Sequence, residues 1–126
     1  MQSYSAPLND MKFIIEDFLN SGAEDTLFKQ NDIEIEDFNF ILDESSKFCE
    51  EILLPLNQSG DKEGCTYENG KVKTPKGFKD AYKQFVESGW QGAALDQKYG
   101  GQGLPYIFNV FFDEMDALEL LDRIII

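Results

Sequence analysis

Residues 35–56 read IEDFNFILDESSKFCEEILLPL. Ile35, Phe38, Ile41, Leu42, Ser45, Phe48, Cys49, Ile52, Leu53 and Leu56 follow one another in steps of three and four, while Glu and Asp fill much of the opposite side. That spacing is the period of an α-helix and predicts one long amphipathic helix with a single buried stripe. Pro55 has no N–H and its ring presses on the preceding turn, so the helix is expected to end or kink there. Asn57 to Gly64, rich in Gly, Asp and Asn, then reads as a loop.

Working toward the amino terminus, Met11, Ile14, Ile15, Phe18 and Leu19 predict a first helix, capped by Asn9 or Asp10 and stopped at Gly22. Ala23 to Asp32 is polar and reads as a connection. Toward the carboxy terminus, Cys65 to Thr74 predicts a hairpin, since Asn69-Gly70 suits a tight turn with positive φ at both central residues. Thr74-Pro75 is expected to open a third helix, with Phe78, Tyr82, Phe85 and Val86 on one face and Ser88-Gly89 at its end. Trp90 to Pro105 is glycine-rich and irregular. A last helix starts near Tyr106 and carries Phe108, Phe111, Phe112, Met115 and Leu118. The fold class is therefore mainly α: a small domain of about four helices, one of them long, with one short β-hairpin.

Composition narrows the function. The chain has 126 residues, enough for one domain, and 42% are hydrophobic. Eleven Lys and Arg stand against 24 Asp and Glu, a net charge of −13. Nucleic-acid binding draws on cations that displace counterions from phosphates, so DNA and RNA are poor partners. There is no histidine, which removes the commonest general base and metal ligand. Cys49 and Cys65 lie too far apart for a CxxC or zinc motif and read as unpaired, with a disulfide as the minor alternative. No secretory signal and no membrane span are read, so the expected location is cytoplasmic. Glu34, Glu36-Asp37, Asp43-Glu44 and Glu50-Glu51 read as the wet side of the long helix, and no catalytic residue is nominated among them.

Several separate segments, in order, resemble the acyl-CoA dehydrogenase family. They are Tyr4 with Ala6-Pro7 and Asp10; Pro55-Leu56-Asn57, Gly60-Asp61 and Glu63-Gly64-Cys65; Thr74-Pro75-Lys76-Gly77-Phe78-Lys79 with Ala81-Tyr82; and Gly89-Trp90 with Tyr99-Gly100-Gly101-Gln102-Gly103-Leu104-Pro105. Within that family the segments resemble the subgroup that includes methylmercaptopropionyl-CoA dehydrogenases. The resemblance runs from about Tyr4 to about Met115, and implies residues 1–115 as the amino-terminal helical domain and 116–126 as a divergent apolar tail.

The resemblance also implies a chemistry for the full-length family: FAD as cofactor, acyl-CoA as substrate and an electron-transfer flavoprotein as electron acceptor. A glutamate takes the α-proton while flavin receives a hydride from the β-carbon. A family member is several times longer than this chain, so the chain is expected to be a fragment. No catalytic, cofactor-binding or metal-ligating residue is then expected within it. Its role would be to wall the acyl pocket, with Leu104, Tyr106 and Phe108 as lining candidates. Trp90 reads as core filling, and Lys76 and Lys79 read as solvated surface lysines, with attraction of CoA phosphates as the alternative. Gly100 to Gly103 lacks the GxGxxG spacing and a Walker lysine, so a nucleotide loop is rejected. Two other readings remain open: a subunit of a split dehydrogenase, docking through Leu118, Leu120, Leu121 and Ile124 to Ile126 or forming homo-oligomers, and a stand-alone helical interaction module.

Overall fold

The structure is a computed structural model that describes residues 5–19, 28 and 32–119. Its spine is the helix foreseen at residues 35–56, and that helix runs further. It comprises α2 (Ile35–Phe48), a wide π-type turn (Cys49–Leu53) and α3 (Leu54–Glu63) without a break. The expected stop at Pro55 and loop over Asn57 to Gly64 are thus corrected. The physical reason is the turn just before the proline. There the Leu54 N–H reaches back five residues to the Cys49 carbonyl, instead of four. The widened turn makes room where the proline ring would otherwise press on the Glu51 carbonyl. Pro55 then occupies the first turn of α3, where no N–H is required.

The predicted stripe of the spine is the buried one. Phe38, Leu42, Ser45, Phe48, Cys49 and Leu53 are buried, and Ile35, Ile41, Ile52 and Leu56 pack half-buried against them. Against this stripe lies α1 (Leu8–Phe13), extended by a second wide turn (Ile14–Phe18). Met11 and Ile15, four apart, are its buried anchors, while Ile14, Phe18 and Leu19 face outward. The cap expected at Asn9 or Asp10 is corrected to Pro7, whose carbonyl accepts from Met11 N at 3.0 Å. Asn9 and Asp10 already sit inside the first turn. The lead-in is held instead by a distant carboxylate: Ala6 N donates to Glu50 Oε1 at 2.9 Å. Lys12 pairs with Asp43 at 2.6 Å, fixing α1 to α2. Gly22 and most of Ala23 to Asp32 lie outside the described residues, as do Tyr4 and residues 120–126.

The hairpin forms as read. Thr66–Glu68 (β1) pairs antiparallel with Lys71–Lys73 (β2), in the register Thr66↔Lys73, Tyr67↔Val72, Glu68↔Lys71. Asn69 and Gly70 have φ of 51° and 76°, the two positive values such a turn demands. Helix α4 (Phe78–Glu87) begins later than Thr74-Pro75 suggested. Gly77, at φ 90°, turns the chain into the helix, so Thr74 does not cap it. The start is set by packing: the Phe78 ring lies over Gly60 of α3, where any Cβ would overlap it. Phe78, Ala81 and Phe85 are buried, whereas Tyr82 and Val86 are exposed, correcting the expected face. Helix α5 (Ile107–Glu119) buries Phe108, Phe111, Phe112 and Met115; the side chain of Leu118 lies outside the described set.

Counting α2, the turn and α3 as one, four helices and one hairpin make up the described fold. Its centre is aromatic. Phe38 meets Phe108 edge-on, Phe108 stacks on Phe112 at 5.8 Å, and Trp90 stacks on both. Phe48 and Phe85 complete the cluster. Such pairs contribute about 0.5–1.5 kcal/mol each beyond their burial.

Candidate functional site

The glycine-rich stretch after α4 folds back on itself as a clasp. Gly89, at φ 75°, ends α4, and short 3-10 turns follow at Trp90–Gly92 and Gln97–Tyr99. The strand of chain from Gly101 to Leu104 then runs beside residues 92–96. Gly101 N donates to Asp96 O, Gln102 N to Gly92 O, Gly103 N to Leu95 O and Leu104 N to Ala93 O, at 2.9–3.2 Å. Gly101 is required because a Cβ there would overlap the Leu95 backbone. The Gln102 side chain reaches back to the end of α4, donating from Nε2 to the carbonyls of Gly89 at 3.1 Å and Ser88 at 3.3 Å. The Ser88 carbonyl is one that a helix end leaves without an intrahelical partner, while that of Gly89 also accepts from Gly92 N at 3.1 Å.

The clasp has a chemical consequence. Every backbone N–H from Tyr99 to Leu104 is already given to a carbonyl of the same loop. Gly100 to Gly103 thus spend their amides on holding the loop together.

One side of the clasp faces the start of α2 across an open groove of about 350 Å³. Its apolar lining is Ile33, Phe40, Ile41 and Leu104; its polar lining includes Asp32, Asp37, Gln97 and Gln102. Phe40 is 65% exposed, a large aromatic ring turned away from the core. Of the three residues proposed from sequence, the groove takes Leu104, which is buried at its wall. Phe108 lies wholly within the core, in ring contact with Phe38 and Trp90, and Tyr106 is exposed. Sequence reading passed over Phe40, although it stands out of step with the stripe of α2 and was the visible signal. Ile33 and Gln97 reach the groove through tertiary contacts that no local pattern announces.

Elsewhere the chemistry is sparse. Among the described residues no cluster of His, Cys, Asp and Glu is arranged to hold a metal. Cys49 is buried, Cys65 is exposed, and no disulfide joins them. Trp90 packs in the aromatic centre, as expected of a core residue. Lys76 and Lys79 are exposed. Lys47 is raised above its ordinary 10.5 by the hydrogen bond and charge of Glu44, on the exposed side of α2. No described helix is long and apolar enough to cross a membrane.

No family model matches the sequence. The chain is, however, 40% identical over 113 residues, 90% of its length, to the 3-methylmercaptopropionyl-CoA dehydrogenase of Ruegeria pomeroyi. It spans 19% of that protein's length. Identity of this extent is homology, and it bears out the resemblance to the acyl-CoA dehydrogenase family.

Proposed function

We propose, from this homology to an acyl-CoA dehydrogenase, that the 126 residues are the amino-terminal helical portion of an FAD-dependent enzyme of that kind. The whole enzyme would introduce a double bond between the α and β carbons of an acyl-CoA thioester. The observation that carries the proposal is the 40% identity over 90% of the chain. In this reading residues 1–115 form the domain, 116–126 a divergent tail, and the domain contributes one wall of the acyl pocket.

Within the groove, Leu104 and Phe40 supply the apolar surface an acyl chain needs. Tyr106, exposed at the head of α5, stands ready to meet the rest of the enzyme. Flavin and the glutamate base belong to segments outside these residues, joined or separate. That assignment is supported by the amides of Tyr99 to Leu104, all bonded within the loop, and by Asp32 and Asp37, whose charges oppose a diphosphate. Electron-transfer flavoprotein, or a further subunit, would be met by the whole enzyme. Purified alone, the chain is expected to show no visible flavin absorption and no turnover of acyl-CoA. A yellow preparation that oxidises an acyl-CoA unaided would overturn the placement of flavin and base.

A further inference from the structure

The groove between the start of α2 and the clasp has a one-sided chemistry. Asp37, Phe40 and Ile41 share a face of α2 by helical spacing, and all three line it. Ile33 and the buried Leu104 extend the apolar lining, and Asp32 adds a second carboxylate. The donors around it are spent on the loop. Gln102 gives Nε2 to the Ser88 and Gly89 carbonyls, and Gln97 gives Nε2 to the Gln102 carbonyl at 3.5 Å. The backbone amides of Gln102, Gly103 and Leu104 are bonded within the clasp. The acceptors are unspent: among the described residues neither the Asp32 nor the Asp37 carboxylate enters an ion pair, and no cation lines the groove. Lys98, next to Gln97, is held by Asp96 at 3.5 Å and lies 4.8 Å from the centre of the Tyr99 ring. The first amides of α2 favour an anion, and Glu36 and Asp37 in its first turn already supply that charge.

We infer that this groove takes a small ligand with an apolar stem and a terminal primary ammonium group; resting on the acyl-pocket reading above, the inference names the far end of the acyl chain the groove prefers. Charge and hydrogen bonding select the occupant together. A carboxylate or phosphate meets two carboxylates and no cation. A neutral tail draws water from Asp32 and Asp37 and returns no donor to them. An ammonium brings three donors and the opposite charge. The exposed Phe40 ring adds the attraction of an aromatic face for a cation. The stem covers Ile33, Ile41 and Leu104, and the volume of about 350 Å³ suits a small molecule.

n-Hexylammonium serves as the probe, titrated into the chain and followed residue by residue through the backbone amide resonances. The amides of Asp37, Phe40, Gln97 and Leu104 are expected to shift. 1-Hexanol and methylammonium, which keep only the stem or only the charge, are expected to bind at least about tenfold more weakly, and hexanoate more weakly still. Asp32→Asn/Asp37→Asn is expected to weaken n-hexylammonium binding about tenfold. Glu51→Gln/Glu68→Gln changes the net charge equally at exposed positions outside the groove, and is expected to bind as the parent does. Circular dichroism checks each fold, and Asp37→Asn alone, expected to fall between parent and double variant, replaces the pair where that fails to fold. Equal affinity for 1-hexanol and n-hexylammonium, equal weakening by both double variants, shifts confined to residues away from the groove, or absence of binding would each overturn the inference. The titration needs neither CoA nor flavin, so its failure leaves the dehydrogenase assignment standing, and failure of that assignment leaves the amine site in place.

Discussion

Gly100 and Gly101 are neighbours in one motif, yet the structure requires each to be glycine for a different reason. Gly100 has φ 87°, and a Cβ there would meet nothing within 4 Å, so its need is conformational. Gly100→Ala should cost roughly 1–2 kcal/mol, the penalty of an L-residue in the left-handed region. Gly101 has an ordinary φ, but a Cβ there overlaps the oxygen, carbon and Cβ of Leu95. Leu95 belongs to the backbone opposite and cannot swing aside. Gly101→Ala must spread the clasp, at roughly 1–3 kcal/mol for overpacking. Spreading also strains the bonds from Gly101 N to Asp96 O and Gly103 N to Leu95 O, at about 1 kcal/mol each. The total of roughly 3–5 kcal/mol is a large share of a stability of about 5–15 kcal/mol. Asparagine separates the two causes, because it tolerates the left-handed region. Gly100→Asn should lose less than Gly100→Ala, whereas Gly101→Asn should be at least as damaging as Gly101→Ala. Urea unfolding followed by circular dichroism gives the midpoints, compared at constant slope. A Gly101→Ala protein no less stable than Gly100→Ala, or rescue by asparagine at 101, would refute the account of the clasp.

Three further outcomes are expected. Phe108→Ala, which empties the centre of the aromatic cluster, should cost about 3–5 kcal/mol, and a thermal midpoint within a degree or so of the parent would show that the stack is not central. Gln102→Leu keeps the bulk but removes the donor to the Ser88 carbonyl and the second donor to that of Gly89, which keeps Gly92 N, so a loss of about 1 kcal/mol is expected, with Gln102→Glu worse because it aims a carboxylate at two carbonyls; equal stability of the Glu and Leu variants would contradict this. The raised pKa of Lys47 means that its small contribution is full below the unfolded value near 10.5 and fades as pH rises through the folded value. Lys47→Gln should flatten the alkaline limb of a stability profile, and superimposable limbs would remove any role for the Glu44 pair.

The helical stripe and the hairpin were legible in the sequence because both rest on local chemistry. The steps from Ile35 to Leu56 follow the α-helical period, and Asn69-Gly70 states its turn outright. What stayed concealed depended on distance along the chain. Pro55 looked like a stop because the wide turn at Cys49–Leu53 leaves no mark in the apolar pattern. The start of α4 is set at Gly77 and by the Phe78 ring over Gly60, not by the nearer Thr74. Tyr82 and Val86 fitted the apolar period of α4 but lie on its wet side, where spacing alone does not distinguish a core residue from a surface one. The family motifs drew attention to Tyr99 to Pro105, yet why Gln102 is there becomes visible only with the end of α4 beside it. Phe40 was readable as an aromatic out of step, and Leu104 was named through the family resemblance; their partners in the groove, Ile33 and Gln97, were not.

The most direct test of the proposed function is to graft this chain in place of the matching segment of the Ruegeria pomeroyi dehydrogenase and follow the flavin under anaerobic conditions. If the chain supplies an acyl-pocket wall, the graft should retain flavin and be bleached by 3-methylmercaptopropionyl-CoA, and Leu104→Asp within it should weaken that response while flavin stays bound. A folded, flavin-loaded graft that the thioester leaves yellow, beside a parent enzyme that it bleaches, would contradict the account.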